Sequence, residues 1–470
     1  MKNELIENAK ILTQENDAFN TYNKGKAIED FLDLEENQEL LSENNLIAIY
    51  GEWGSGKSSL MKTIESSLNK EKFKTIWYDT WKYETDDNIP YSLLKYILKN
   101  DNWEKFKEKG EKFLDNIYNL FKGFNKGLEF NLGIVTWKPG ETLETIQQDQ
   151  NKALEQTVWE KFKEFEQVFS HITFNEKKLI VFLDDLDRCE SQNIISIISS
   201  VKLLLSINKN IIFIMGIDKN AVAKALSNKY NSDKIKAEEY LEKIFPINFN
   251  VHPKIENDNF YNWLKKILEI SDEEVNSIYN FFEKIELKNP RHLKKILRKY
   301  LSIKSFLISK EINVKDKNVL IMIFYFIILN YFYYDEYICI NKTKKENCYK
   351  NFTLISSNRK TGEKKEHLFI KYNIDCTVNI DETTSYDIFP ILLLLSSKHY
   401  KKDQLPAFII SPNASIQLSD WLALFEDNIC SRFLSFLLES IEDNKLFQIE
   451  NNCIQIQEVE KLYQIIDDIM

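Results

Sequence analysis

A glycine-rich segment, GEWGSGKS at Gly51 to Ser58, has the spacing of a loop that binds phosphate. In such a loop successive backbone N–H groups point inward, and the positive end of the next helix adds to their attraction for an anion. Lys57 is placed to reach the β- and γ-phosphates of a nucleotide, and the Ser58 hydroxyl is placed to ligate Mg²⁺. The segment therefore predicts a site for a nucleoside triphosphate and magnesium. The residues predicted to bind the nucleotide are Gly51, Glu52, Trp53, Gly54, Ser55, Gly56, Lys57, Ser58 and Ser59.

Acidic residues follow a second apolar run, LIVFLDDLDRC. A phosphate loop needs a carboxylate at the end of a neighbouring strand to hold Mg²⁺, and Asp184 is predicted to be that ligand together with Ser58. Asp185 is placed to orient or deprotonate an attacking water, so it is the predicted catalytic base. For Asp187 two interpretations stay open, a role in the site and a local ion pair with Arg188.

The segments that must position these residues alternate between strands and helices. This alternation predicts an α/β fold in which a parallel sheet is covered on both faces. The run that ends at Asp184 is apolar throughout, as expected of a strand buried on both faces. Residues 91–176 predict a mostly helical insertion with a candidate hairpin at GLEFNLGIVTWKPG. The predicted strands are Leu46 to Tyr50, Lys74 to Trp81, Lys178 to Asp184, Asn210 to Gly216 and the segment PINFNV.

Five segments resemble motifs of the KAP family of P-loop NTPases, and they are GEWGSGKS, YDTWKYE, LDDLDRC, FIMGID and NPRHLKK. The resemblance implies an AAA+-like core with an additional strand, a helical lid, and hydrolysis of ATP with Mg²⁺. Members of the family often carry membrane-spanning helices between the phosphate loop and the magnesium strand, where this chain has a charged insertion instead. Some bacterial members act in defence against phage, so the resemblance implies that role too.

The same resemblance implies a division of the chain. We expect an NTPase core over residues 1–255, a helical lid over residues 256–340 and a C-terminal domain of unassigned role over residues 341–470. The resemblance itself covers roughly residues 15 to 310, so it says nothing of what the last third recognises.

Three further residues gain an expected role from the resemblance. Asp218 follows the fourth strand, where it is expected either to sense the γ-phosphate or to cap the next helix. Arg291, in NPRHLKK, stands at the place of a lid arginine that contacts phosphate. Arg188 is expected either to hold Asp187 within its own subunit, which we favour, or to reach a neighbouring subunit as an arginine finger.

The composition argues against other classes of protein. Lys and Arg number 62 and Asp and Glu number 72, so the net charge is −10. Nonspecific binding of nucleic acid over the whole surface is therefore not expected. The basic stretch NRKTGEKKEH in the last third is interpreted as a solvated loop. The six cysteines form no pairs at the spacing of zinc ligands, so a structural zinc site is not expected.

The longest uncharged run, NVLIMIFYFIILNYFYY, lies between Lys317 and Asp335. It reaches only the lower limit of the ~17–25 residues that a spanning helix needs, and it contains two Asn and four Tyr. We therefore predict a buried helix of a soluble domain. The segment MKNELIENAK has no apolar signal core. Together these features predict a cytoplasmic protein with no membrane partner.

The function predicted from these features is Mg²⁺-dependent ATP hydrolysis that drives a conformational switch or the assembly of a homo-oligomer. An effector protein is a further expected partner. Two alternatives stay open, an ATPase motor or loader that acts on nucleic acid, and a scaffold that binds nucleotide without turnover. Stimulation of the ATPase by nucleic acid would identify the motor, and a phosphate-release assay would identify the scaffold.

Overall fold

The computed structural model divides the chain into two compact units, Asn8–Lys254 and Ile255–Met470, the second together with Met1–Glu7. The phosphate loop and the acidic run belong to the first unit, and Arg291 belongs to the second. The structure describes residues 9–86, 88–99, 111–127, 160–230, 234–255, 258–315, 317–332, 334, 337, 352–357, 364–369, 414–417 and 464–469.

The unit Asn8–Lys254 contains a five-stranded sheet in the order β2-β3-β4-β1-β5. Every neighbouring pair is parallel, so the carboxyl ends of all five strands meet at one edge. The strands are β1 (Leu46–Tyr50), β2 (Phe73–Asp79), β3 (Lys178–Asp184), β4 (Ile211–Ile217) and β5 (Ile247–Asn250).

Burial along the strands follows their place in the sheet. The strands β1 and β4 are buried at every residue, whereas the edge strands β2 and β5 contain several partly exposed residues. Successive side chains of β1 enter different apolar clusters, since Leu46 and Ala48 belong to one and Ile47 and Ile49 to the other. Because alternate side chains of a strand point to opposite faces, the sheet has an apolar core on each face.

Helices cover both cores of this unit. The helices are α1 (Tyr22–Asp33), α2 (Gln38–Glu43), α3 (Lys57–Ser67), α4 (Ile89–Lys99), α5 (Glu111–Gly127), α6 (Ser191–Ser200), α7 (Lys219–Tyr230) and α8 (Lys234–Ile244). Residues 160–169 are also helical. Shorter 3₁₀ turns occupy Glu35–Asn37, Thr80–Tyr83 and Leu186–Arg188, and a π-helical turn occupies Val201–Leu205.

The predicted α/β fold with a parallel sheet and helices around it is confirmed. The boundaries of three strands differ from the prediction, and the fifth strand is one residue shorter at each end than the predicted segment PINFNV. The second strand ends at Asp79 rather than Trp81, because Thr80–Tyr83 turn into a 3₁₀ helix. The fourth strand begins and ends one residue later than predicted, at Ile211 and Ile217. Residues 128–140 of the predicted hairpin lie outside the described residues.

Helices make up most of the described residues between 258 and 332 of the second unit. Its helices are α9 (Asp258–Leu268), α10 (Asp272–Lys284), α11 (Pro290–Ser309) and α12 (Lys317–Phe332). A capping box at Ser271 and Glu274 starts α10. Asn289 caps α11, which has proline as its first residue. These caps satisfy backbone N–H groups that a helix start leaves without partners.

Helix α12 contains most of the long uncharged run. Its residues from Leu320 to Leu329 are buried at every position, so the prediction of a buried helix is confirmed. Within the described residues, no helix combines the length and apolar character that a membrane crossing requires. Three further strands, β6 (Phe352–Ser357), β7 (Lys364–Phe369) and β8 (Ala414–Gln417), form a second sheet in the order β7-β6-β8.

Candidate functional site

The phosphate loop joins β1 to α3 and turns at two glycines in the left-handed region. The φ angle is 85° at Gly54 and 103° at Gly56, values that residues with a Cβ rarely adopt. At Gly51 a Cβ would lie 2.5 Å from Ser55 Oγ. The Gly51 N–H donates to the Ile217 carbonyl at 3.1 Å, which fixes the start of the loop to the end of β4. The loop therefore turns tightly in front of α3, where backbone N–H groups can bind an anion.

Lys57 is the first residue of α3, and its side chain is only 7% exposed. Its Nζ donates to the carbonyl oxygens of Gly51 at 2.8 Å and Glu52 at 3.2 Å. A third hydrogen bond of 3.2 Å goes to Oδ2 of Asp187, whose side chain is 8% exposed. The three donors of the ammonium group thus have three partners, one of which is a buried carboxylate. A phosphate oxygen is a second anion of the kind that this group binds.

Ser58 and Asp184 meet at the centre of the site. The Ser58 hydroxyl donates to Asp184 Oδ1 at 3.0 Å, and Asp184 is the buried last residue of β3. Burial raises the pKa of the Asp184 carboxyl, although the Ser58 hydrogen bond and the nearby Lys57 ammonium oppose that shift. The two residues predicted to ligate Mg²⁺ therefore lie together, although they are 126 residues apart in sequence.

This pair fits Mg²⁺. Hydroxyl and carboxylate oxygens are hard ligands, and a divalent cation would stabilise the ionised form of a buried carboxylate. Over the described part of the chain, no group of three or more His, Cys, Asp or Glu side chains could hold a metal ion by itself. Mg²⁺ in nucleotide sites is held by one or two protein oxygens together with substrate phosphates and water. The donor set therefore matches a cation that binds with its nucleotide.

Asp185 begins a sharp turn after β3. Its backbone is left-handed, with φ 55° and ψ 28°, and the 3₁₀ turn Leu186–Arg188 follows. The Arg188 Nε lies 2.8 Å from Asp185 Oδ1. Burial and the neighbouring Asp184 carboxylate raise the pKa of Asp185 to about 6, and the Arg188 guanidinium acts in the opposite direction. A carboxyl group with a pKa near neutrality is suited to exchange a proton with water.

The favoured pairing of Arg188 with Asp187 is wrong. Arg188 pairs with Asp185, and Asp187 pairs with Lys57 of the phosphate loop. The physical reason is the 3₁₀ turn, in which residues three apart lie on the same side, so Arg188 lies over Asp185. Asp187 is thereby left to contact the loop.

Two residues of YDTWKYE, Trp81 and Glu84, support the acidic turn. The Arg188 guanidinium lies over the Trp81 ring, with Cζ 5.8 Å from the ring centroid. The Glu84 carboxylate accepts a hydrogen bond from the Glu190 N–H, just before α6. The signal that could have found them is their position after β2, whose last residue pairs in register with Asp184.

Asp218 follows β4, which lies between β1 and β3 in the sheet. Its Oδ1 accepts from the Asn220 N–H at 2.9 Å, in the first turn of α7. Its Oδ2 accepts from the Trp53 N–H of the phosphate loop at 3.0 Å. The expected contact with the start of the next helix is thus observed, together with a contact to the loop that was not expected. The role of Asp218 as a γ-phosphate sensor stays a prediction.

Arg291 lies in the other compact unit, at the second position of α11. Its N–H donates to the side chain of Asn289 at 3.0 Å. The structure therefore brings together the phosphate loop, Asp184, Asp185, Arg188 and Asp218 within one unit. The role of Arg291 as a lid arginine that contacts phosphate stays a prediction.

The family model described as the KAP family P-loop domain matches residues 31–307. The chain is 31% identical over 175 residues to "Uncharacterized protein MJ0182" of Methanocaldococcus jannaschii, a match that covers 30% of this chain and 89% of that protein. It is 33% identical over 122 residues to "Uncharacterized protein MJ0181" of the same organism, covering 22% of this chain and 48% of that protein.

Among solved structures, the ORC2 protein of Aeropyrum pernix, in its ADPNP-ADP complexes, is similar with a TM-score of 0.34. The sequence identity is 12%, and the match covers 73% of this chain and 78% of that chain.

Proposed function

The chain belongs to the KAP family of P-loop NTPases, and we propose that it hydrolyses ATP with Mg²⁺ to drive a conformational switch or oligomeric assembly. The observation that supports this most strongly is the 3.0 Å hydrogen bond between Ser58 Oγ and Asp184 Oδ1. It joins the end of the phosphate loop to the end of β3. Because these two oxygens are the predicted magnesium ligands, the bond supports a site in which the phosphate loop and β3 hold the same Mg²⁺.

The contacts of each residue suggest its part in the reaction. When a nucleotide binds, the Lys57 ammonium gives up one of its three hydrogen bonds and donates to oxygens of the β- and γ-phosphates instead. Magnesium held by Ser58 and Asp184 would neutralise charge on the phosphate oxygens. Asp185 takes a proton from the attacking water. Since Arg188 binds Oδ1 of Asp185, Oδ2 is the oxygen assigned to that water.

A steady-state phosphate-release assay on the full chain tests the proposal. We expect release from ATP in the presence of Mg²⁺ and its loss when EDTA removes the metal. Parallel binding measurements with ATP, ADP and GTP define the nucleotide that the loop accepts. Tight binding of ATP without release of phosphate would contradict hydrolysis and support the scaffold.

The cis contact of Arg188 leads to a prediction about its contribution. Arg188 is 40% exposed and pairs with Asp185 in its own chain, so Arg188→Gln should lower kcat only about two- to fivefold, as for a partly solvated ion pair. The KM for ATP should not change, because Arg188 orients the base and does not bind the nucleotide. The measurement is a kcat and KM comparison with the parent, and Arg188→Lys is the matched variant that keeps the charge.

The size of this effect separates the two interpretations of Arg188. An arginine finger that acts on a neighbouring subunit contributes about 10³- to 10⁵-fold in rate in other P-loop enzymes. A loss of that size in Arg188→Gln would contradict the cis role. Recovery of activity on mixing Arg188→Gln with Lys57→Ala subunits would then identify a finger that acts in trans.

The switch, the homo-oligomer and the role in phage defence rest on the family resemblance and need separate tests. Light scattering with ATP, with ADP and without nucleotide measures the mass of the particle in solution, and we expect a larger mass with ATP. Plaque counts on cells that produce the protein measure defence against phage, with the Asp185→Asn variant as the matched control. A mass that does not depend on nucleotide would contradict the assembly proposal, and equal plaque counts would contradict the defence proposal.

A further inference from the structure

The end of β4 and the start of α7 contact the end of β1 and the phosphate loop at three places. The Ile217 carbonyl accepts from the Gly51 N–H at 3.1 Å. Asp218 Oδ2 accepts from the Trp53 N–H at 3.0 Å. The Lys219 ammonium lies 4.4 Å from the centroid of the Tyr50 ring. The end of β4 and the start of α7 therefore contact the phosphate loop along its entry, from the last residue of β1 to the third residue of the loop.

Asp218 is the centre of this corner because its two carboxylate oxygens serve different segments. One oxygen binds the Asn220 N–H at 2.9 Å and so caps α7. The other binds the loop at Trp53, 165 residues away in sequence. A cap needs one oxygen only, since Ser and Thr hydroxyl groups also cap helices well. Capping of α7 therefore does not explain the hydrogen bond from Trp53 to the second oxygen.

We propose that Asp218 is a positioning residue that anchors the phosphate loop to the start of α7, so that the loop is held in its anion-binding shape. This inference rests on the proposed function, since it assigns a part in nucleotide binding. A γ-phosphate sensor would discriminate ATP from ADP. An anchor of the loop acts on the groups that bind every phosphate, so it supports ATP and ADP equally.

Asp218→Ser is the variant that separates anchoring from capping. A serine hydroxyl can accept from the Asn220 N–H and keep the cap, but one short side chain with one oxygen cannot also reach Trp53. Asp218→Ala removes both contacts. The Ser variant should therefore lose less unfolding free energy than the Ala variant, which loses both hydrogen bonds.

Two measurements on the purified full chain test the anchor. The first is hydrogen–deuterium exchange without nucleotide, in which Asp218→Ser should speed exchange across residues 51–56 and leave α7 unchanged. The second is binding of ATP and ADP, in which the affinities should both fall by the same factor, about three- to tenfold for one hydrogen bond to a carboxylate at the surface.

The outcomes distinguish the alternatives. An Asp218→Ser variant that matches the parent in hydrogen–deuterium exchange and in both affinities would show that Asp218 only caps α7. This result would overturn the proposal. A loss confined to ATP, with ADP binding unchanged, would assign a γ-phosphate sensor and would also overturn it. If the parent binds no nucleotide, the proposed function fails, while the exchange rates of residues 51–56 still decide whether Asp218 anchors the loop.

Discussion

Replacing Asp185 with asparagine should lower the rate of ATP hydrolysis by about 10²- to 10⁴-fold, the usual contribution of a general base. The affinity for ATP with Mg²⁺ should stay within about twofold of the parent, because Lys57, Ser58 and Asp184 keep their positions. The chemical reason is that a neutral carboxamide can still orient a water molecule but cannot take its proton. Single-turnover phosphate release and equilibrium binding give the two quantities separately.

Asparagine is the substitution that leaves the turn intact. Asp185 has a φ of 55°, and asparagine tolerates this left-handed conformation better than most residues with a Cβ. The carbonyl oxygen of the amide can also accept the hydrogen bond that Arg188 Nε gives to Oδ1 of Asp185. Asp185→Ala, which loses the hydrogen bond and strains the turn, is the control for damage to the turn. Unchanged turnover in Asp185→Asn would remove Asp185 from the chemistry.

The parts of the site that could be predicted from the sequence are those that depend on strand ends. An apolar run that stops at Asp184 predicts a buried strand and a carboxylate at its end. GEWGSGKS after β1 predicts a loop at the same edge of the sheet, because the carboxyl ends of parallel strands lie together. The 3.0 Å contact between Ser58 and Asp184 follows from these two patterns.

The pairings of the charged side chains could not be predicted in the same way. Spacing alone allows Arg188 to bind either Asp185 or Asp187, and the 3₁₀ turn Leu186–Arg188 places Arg188 over Asp185. The bond from Trp53 to Asp218 depends in addition on the order of β1 and β4 in the sheet.

The second large effect that we expect is that of replacing Lys57, whose ammonium group forms a buried ion pair with Asp187. Lys57→Ala should weaken ATP binding by about 10²- to 10⁴-fold, since two charge-assisted hydrogen bonds to phosphate contribute about 1.5–3 kcal/mol each. The same change leaves the Asp187 carboxylate, only 8% exposed, without its cation. Removing one partner of a buried pair costs about 3–5 kcal/mol in the free energy of unfolding. A loss of binding in this variant alone could therefore reflect a damaged fold.

Asp187→Asn is the matched control, because it breaks the same ion pair and keeps Lys57. Its Lys57 ammonium retains the carbonyl oxygens of Gly51 and Glu52 and loses a competing anion, so ATP affinity should equal or exceed that of the parent. The double variant Lys57→Ala/Asp187→Asn carries no unpaired buried charge, so it should regain most of the unfolding free energy lost in Lys57→Ala. Its ATP binding should nevertheless stay as weak as in Lys57→Ala. Urea unfolding and isothermal titration of all four proteins measure both effects, and recovery of ATP binding in the double variant would show that Lys57 supports the fold and not the nucleotide.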